Sequence, residues 1–483
     1  MSPHRAGERM TLMLSHSDRL FPADPEIRAL ARDLHASVRD APLICPHGHT
    51  DPRWFADDAA FSDATSVFVT SDPYVLRLLH GHGVPLERLG VARQDDASIP
   101  AADARQGWAC FAAHYHLFQG TPSRLWLDAV FAEIFDLEDE LTSATADTFF
   151  ERIGEALAKP EFRPRALFER FDISVLATTD SACDSLEHHT AIRRSGWAGR
   201  VVPTFRPDTA LDPEHLDFRT ELASLASMTG ENTTSLSGYL RALQERRRAF
   251  AALGATASDH GHPTAATADL SAAEFSRLFD QALHGTLPPS GAELFRAQML
   301  TEMARMSLDD GLVMQLHAGA RRGYNTELVK RYGSARGETV PQRVDFVGGL
   351  KPLLDRFGHE PNFRIVLFTL DESVYARELA PLAGVFPSVW LGSPWWFHDS
   401  PEGMLRFRHE ASETAGFYKY AGFVDDTRAF FSIPARHDVA RRMDAAFLAH
   451  LVTLHRLTRN AAFDLMQQFA STLPQTAYRL NAR

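Results

Sequence analysis

Leu43-Ile44-Cys45 runs directly into Pro46-His47-Gly48-His49, and this arrangement, a short apolar run handing over to polar groups, recurs down the chain. Ile173-Ser174-Val175-Leu176-Ala177 leads into Thr178-Thr179-Asp180, Val201-Val202-Pro203-Thr204-Phe205 into Arg206-Pro207-Asp208, and Ala255-Thr256-Ala257-Ser258 into Asp259-His260. Residues 312–316 end in His317, residues 365–369 precede Asp371, residues 389–392 precede Trp395-Trp396, and Gly422-Phe423-Val424 precedes Asp425-Asp426-Thr427-Arg428. Such runs read as buried strands, and the stretches between them read as helices. Eight strands alternating with helices, each with polar residues at its C-terminal end, predict an α/β chain folded as a (β/α)8 TIM barrel, because that fold builds its active site at the strand ends. An open doubly wound sheet would gather those residues at one switch point.

A barrel of this kind needs roughly 250 residues, and the chain has 483. The barrel is assigned to residues 21–74 and 171–483, a helical insertion subdomain to 75–170, and a segment without fixed structure to 1–20, with Met10 and Met13 as alternative starts. Within the insertion, residues 122–135 place large apolar side chains at helical spacing, with Ser123 as the cap. A second helix over residues 235–253 gathers Leu236, Tyr239, Leu240, Leu243 and Phe250 on one face; it leaves Arg246-Arg247-Arg248 mostly to a solvated face and stops at Gly254.

Composition narrows the function. A hydrophobic share of 45% supports a large core, and a net charge of −12 argues against nucleic acid or acidic lipid as a partner. Three widely spaced cysteines, Cys45, Cys110 and Cys183, suit neither a disulfide framework nor a zinc ribbon and point to a reducing compartment. No run is apolar enough for a signal peptide or membrane span, so the cytoplasm is expected.

The chemistry centres on His47-Gly48-His49. Residues two apart on a strand face the same way, so both imidazoles can meet one metal ion; taken alone, the pair also fits two ordinary polar histidines at a loop start. Barrel closure sets strand eight beside strand one, and Asp426 there completes a His2Asp set with open positions. Arg428 shares the face of Asp426, whereas Asp425 points away as a buried acceptor for backbone amides.

The ordered set Pro46-His47-Gly48-His49, Ala177-Thr178-Thr179-Asp180 with Asp184-Ser185-Leu186-Glu187-His188-His189, Phe205-Arg206-Pro207-Asp208, Ser258-Asp259-His260-Gly261, Gln315-Leu316-His317-Ala318-Gly319-Ala320, Ser393-Pro394-Trp395-Trp396-Phe397 and Asp426-Thr427-Arg428 resembles the motifs of the uronate (glucuronate) isomerases, from about residue 20 to the C-terminus. The resemblance implies a distorted barrel of the metal-dependent hydrolase type in the amidohydrolase superfamily and one divalent metal ion, usually zinc. It also implies conversion of D-glucuronate to D-fructuronate or D-galacturonate to D-tagaturonate, with His47, His49 and Asp426 as metal ligands. Two departures stand out: Asp72-Pro73-Tyr74 has no histidine before the tyrosine, and a glycine separates His47 from His49 where many relatives carry a larger residue.

Aldose–ketose exchange through a cis-enediol requires a base, an acid and positive charge for the enediolate. Asp426 is the candidate base, Tyr74 and His317 the proton shuttles, and Arg428 the oxyanion partner. Arg206 is expected to grip the C6 carboxylate through two parallel bonds. Asp259 and His260 are read as site residues at the end of strand four, while Trp395 and Trp396 either pack or offer a face to the sugar. Arg321 and Asn325 reach either substrate or solvent. The rival functions are a metal-dependent hydrolase and a non-catalytic sugar-acid binder. Against a binuclear hydrolase, strand four has no bridging lysine and strand six no histidine. The expected partners are a small-molecule hexuronate and further copies of the chain, as a homo-oligomer, with neither nucleic acid nor membrane.

Overall fold

The strands are Leu43–Cys45 (β1), Ile173–Ala177 (β2), Asp180–Ser181 (β3), Val201–Val202 (β4), Phe205–Arg206 (β5), Ala257–His260 (β6), Val313–His317 (β7), Ala320–Arg321 (β8), Val340–Pro341 (β9), Ile365–Phe368 (β10) and Val389–Leu391 (β11). They belong to a computed structural model that describes residues 16–137 and 139–481. Apart from the antiparallel pair β8–β9, every pairing is parallel, in the orders β1-β2-β4 and β11-β10-β7-β6-β5-β3. The two ladders form one wall. Where pairing lapses at Thr178-Thr179 and Pro203-Thr204, the Thr178 N–H still donates to the Val202 carbonyl (2.9 Å) and the Asp180 N–H to the Thr204 carbonyl (3.0 Å). The expected second strand therefore continues past its interruption, and the expected third strand is split at Pro203, which has no N–H to give.

Closure of the barrel departs from expectation at strand eight. Residues 422–424 form no regular strand, because Gly422 (φ 93°) and Asp426 (φ 41°) leave the extended region. The segment is tied at its two ends instead. The Leu391 N–H donates to the Lys419 carbonyl and the Ala421 N–H to the Leu391 carbonyl, both at 2.8 Å, and the His49 N–H donates to the Thr427 carbonyl at 3.0 Å.

Both faces of the wall are buried, which is why its strands read as continuous apolar runs. Ile44, Val175, Val202, Ala257, Val313 and Val366 share one cluster with Tyr478, and Met314, Leu316, Ile365 and Leu367 pack into the cluster shared with the outer helices. Between β1 and β2 lie the helices Pro73–Gly81, Ala104–Ala113, Pro122–Phe135, Ala146–Leu157 and Pro164–Arg170. Their Trp108, Phe111, Phe131 and Phe149 share a core with Leu43, Cys45, Ile173 and Leu176 of the barrel.

Local signals explain the corrections among the helices. Thr121, not Ser123, caps Pro122–Phe135: its side chain accepts from the Arg124 N–H with Pro122 at the first helical position, while Ser123 is buried in the first turn. The expected solvated arginine face is two-thirds wrong. Arg247 is fully buried against Asp310 (2.6 Å) and Ser307 (2.9 Å), and Arg246 is buried with its Nε donating to the Ala182 carbonyl; Arg248 alone is exposed. Residues 1–15, with both alternative starts, lie outside the described residues. The rest of the segment expected to lack fixed structure is anchored, since Arg19 pairs with Asp438 (2.6 Å) and Glu133 (2.9 Å). Among the described residues no helix is long and apolar enough to cross a membrane.

Candidate metal centre and active site

The end of β1 is fixed from both neighbours, by the Thr179 hydroxyl donating to the Gly48 carbonyl (2.7 Å) and by the bond from His49 to Thr427. His47 Nε2 and His49 Nε2 then lie 3.2 and 3.1 Å from the same atom, Asp426 Oδ1. Despite these distances, Asp426 Oδ1 has no hydrogen-bond partner among the described residues. Three donor atoms facing one another without hydrogen-bond alignment form a cradle for a cation, and two imidazoles with one carboxylate suit a divalent ion. The protonation states agree. Burial, opposed by Asp426, pushes His49 down to about 4, and although burial alone would raise Asp426, His47 and His49 hold it well below the usual carboxylate range. The glycine between the histidines is closely approached, since a Cβ on Gly48 would sit 3.2 Å from Asp425 Oδ1, a tight contact.

Asp425 points away, as expected, but its partner is His437 (Nε2–Oδ2 3.4 Å) rather than backbone amides, with Cys45 Sγ 3.6 Å from the same nitrogen. This buried trio lies directly behind the strand ends that carry His47 and Asp426.

A second chain of groups abuts the first. The His317 ring stacks on His47 with centroids 4.5 Å apart, stacks also on Phe368 (4.0 Å) and meets Trp395 edge-on (4.7 Å). Its Nδ1 meets Asp259 Oδ1 at 2.6 Å, leaving a buried Nε2 without a hydrogen-bond partner among the described residues. Asp259 Oδ2 lies 2.8 Å from Arg206 Nη1, and Arg206 Nε donates to Asp208 Oδ2 at 2.8 Å. Burial would raise Asp259, yet Arg206, His317 and His47 together hold it well below the usual range.

This geometry revises three expectations. Arg206 is not free for a two-bond grip, because Nε and Nη1 are engaged; among the described residues its buried Nη2 alone has no partner. Asp259 and His260 both belong to β6, and strand alternation separates them: Asp259 joins His317 and Arg206, whereas His260 lies beside Ser258, Asp208 and His262. Arg321 is exposed over the Tyr324 ring (5.6 Å) and Asn325 caps the helix Thr326–Tyr332, so neither contacts the site.

Arg322 stands where Arg321 was expected. One of its terminal nitrogens lies 2.8 Å from where a Cβ on Gly261 would be, beside Arg206 Nη2 and Asp208. Arg321 is the last residue of β8 and Arg322 the first of the turn that follows. Neither Arg322 nor the exposed Arg428 has a carboxylate within ion-pair distance among the described residues, and Arg428 feels the charges of Asp426, Arg206 and Asp72. Tyr74 sits in the first turn of Pro73–Gly81, edge-on to Trp126 (5.8 Å) and Trp396 (6.3 Å), with burial raising its hydroxyl well above the ordinary value. Trp395 is buried. Trp396 adopts φ 49°, strained for so bulky a residue, and stacks on Phe397 (5.2 Å), its buried Nε1 without a hydrogen-bond partner among the described residues.

Known proteins share this architecture. A sequence model of the glucuronate isomerase family matches residues 26–473. A uronate isomerase of Phenylobacterium zucineum (strain HLK1) is 58% identical over 466 residues, 96% of this chain and 97% of that protein. The crystal structure of a glucuronate isomerase from Caulobacter crescentus superposes with a TM-score of 0.95 at 52% identity, covering 97% of this chain and 98% of that one. A uronate isomerase structure from Thermotoga maritima gives 0.89 at 26% identity, covering 96% and 99%.

Proposed function

Because the chain belongs to the glucuronate isomerase family, we propose that it interconverts D-glucuronate and D-fructuronate, D-galacturonate and D-tagaturonate, or both, through a cis-enediol. The base takes the C2 proton while the C1 oxygen gains one; the enediol then loses its O2 proton as C1 is protonated, giving the ketone at C2.

The roles follow from surroundings. Asp426 turns Oδ1 to the imidazoles and leaves Oδ2 without a hydrogen bond among the described residues, so Oδ2 is the proton acceptor. Tyr74, which keeps its proton, donates to a substrate oxygen. His317 gives its Nδ1–H to ionised Asp259, so its Nε2 carries a lone pair and accepts a proton. Arg428 stabilises the enediolate, and Arg322 with Arg206 Nη2 meets the C6 carboxylate. The tryptophans wall the sugar. His47, His49 and Asp426 would hold one divalent ion, taken as zinc, which when bound supplies fixed positive charge for substrate oxygens.

The observation that carries this reading is a cation cradle set beside two arginines, Arg322 and Arg428, that have no carboxylate within ion-pair distance among the described residues, an arrangement suited to a small sugar acid. We place the protein in the cytoplasm, where its free thiols persist, as an assembly of like chains. The test is NMR of the purified protein with glucuronate, galacturonate, glucose and galactose. Ketose is expected from at least one uronate and almost none from the neutral sugars, whose C6 hydroxyl cannot match a guanidinium. Ketose from neither uronate, or equal turnover of glucose, defeats the proposal.

A further inference from the structure

His260-Gly261-His262 repeats, residue for residue, the His47-Gly48-His49 of the first strand end. The repeat sits elsewhere in the fold. Alternation along β6 turns Asp259 toward the His317 cluster and His260 to the opposite face, where His262 and Asp208 join it with their ligand atoms all within 4.8 Å of one another.

Both histidines are buried, at 0% and 5% exposure. His260 Nδ1 and His262 Nε2 are also without a hydrogen-bond partner among the described residues. His260 Nε2 lies 3.2 Å from Ser258 Oγ, so with the ring N–H placed there the lone pair is on Nδ1. Asp208 is held in orientation, Oδ2 accepting from Arg206 Nε (2.8 Å) and Oδ1 from the Gly261 N–H (2.9 Å), and each oxygen keeps a further lone pair. The glycine between the histidines is closely approached, since a Cβ on Gly261 would lie 2.0 Å from Arg206 Nη2 and 2.8 Å from both Arg322 Nη2 and Asp208 Oδ2, so a larger residue there displaces these groups. Two buried ring nitrogens lacking partners are costly as they stand, and together with a fixed carboxylate they are the donor set of a zinc site.

We propose that Asp208, His260 and His262 form a second divalent-cation site, separate from His47, His49 and Asp426, that takes zinc or cobalt. Because Asp208 also holds Arg206, an ion bound there braces the arginine that in turn holds Asp259.

The test is cobalt titration of metal-stripped protein, read by ion count per chain and by the visible absorption of bound cobalt. Wild type is expected to take two ions per chain and His49→Ala one, with that remaining absorption lost in His49→Ala/His262→Gln. Wild type binding one ion that His49→Ala abolishes overturns the proposal. One ion retained by His49→Ala supports the second site even if the first is empty, and this arm stands alone should His262→Gln fail to fold.

Discussion

Gly261→Ala is a one-carbon change whose effect can be worked from distances. The added Cβ would meet Arg206 Nη2 at 2.0 Å, whereas non-bonded heavy atoms rest at about 3.5 Å, so the guanidinium must retreat by about 1.5 Å. A surface arginine would yield freely. Arg206 is held, with Nε and Nη1 each 2.8 Å from a carboxylate oxygen and the side chain 13% exposed, and a retreat of that size breaks at least one pair. Overpacking of this kind costs about 1–3 kcal/mol of stability. The functional loss is larger in proportion, because a 1 Å misplacement near reacting groups costs about 100-fold in rate. The expected outcome is a fall of about 100-fold in kcat/KM for glucuronate with the far-ultraviolet circular dichroism unchanged. Gly261→Ala/Arg206→Ala should show much less than the sum of the single losses, since the clash is gone. Unchanged kcat/KM in Gly261→Ala would refute the claim that Arg206 is pinned in the site.

Arg428→Met should lower kcat far more than it raises KM for glucuronate, whereas Arg322→Met should mainly raise KM; steady-state kinetics separates the two, and the reverse pattern would exchange their roles. Arg206→Met should destabilise the fold by about 3–5 kcal/mol in denaturant melts, because it leaves the fully buried Asp259 without its guanidinium; a variant as stable as wild type would contradict the pairing. Asp180, raised to about 7 by burial against its bond from Thr178, binds its proton more tightly in the fold than in the unfolded chain. Its stabilisation is therefore full below about pH 4 and is lost as pH rises through about 7, a swing of about 4 kcal/mol. Denaturant melts from pH 4 to 8 should show wild type losing stability relative to Asp180→Asn up to about pH 7 and running parallel to it above; parallel curves throughout would show that Asp180 does not titrate there.

Much of the barrel was legible because its strands are buried on both faces, so residues 173–177, 313–317 and 365–368 announce themselves as apolar runs ending in polar groups. The eighth strand misled because its sequence is equally apolar, and the positive φ values of Gly422 and Asp426 depend on what surrounds them. The His2Asp set was legible once closure was assumed, since strand alternation and barrel adjacency are geometric. The environment of Arg206 was not, because one of its two carboxylates, Asp259, arrives from the next strand 53 residues on. The same holds for Arg247, whose partner Asp310 lies 63 residues away. His260 is divided from Asp259 by strand alternation, which is visible in the sequence only if the fourth strand is read through to residue 260. The cap at Thr121 has a sequence signal of its own, Pro122 at the first helical position, which marks the residue before it.

The central claim is that a hexuronate is isomerised by proton transfer at the centre formed by His47, His49 and Asp426. The most direct measurement is the rate of ketose formation from 13C-labelled glucuronate and galacturonate, followed by NMR, for wild type and Asp426→Asn side by side. Wild type should convert at least one of them, and Asp426→Asn should be slower by about 100- to 10,000-fold with its circular dichroism intact. Near-normal turnover by Asp426→Asn would contradict the account.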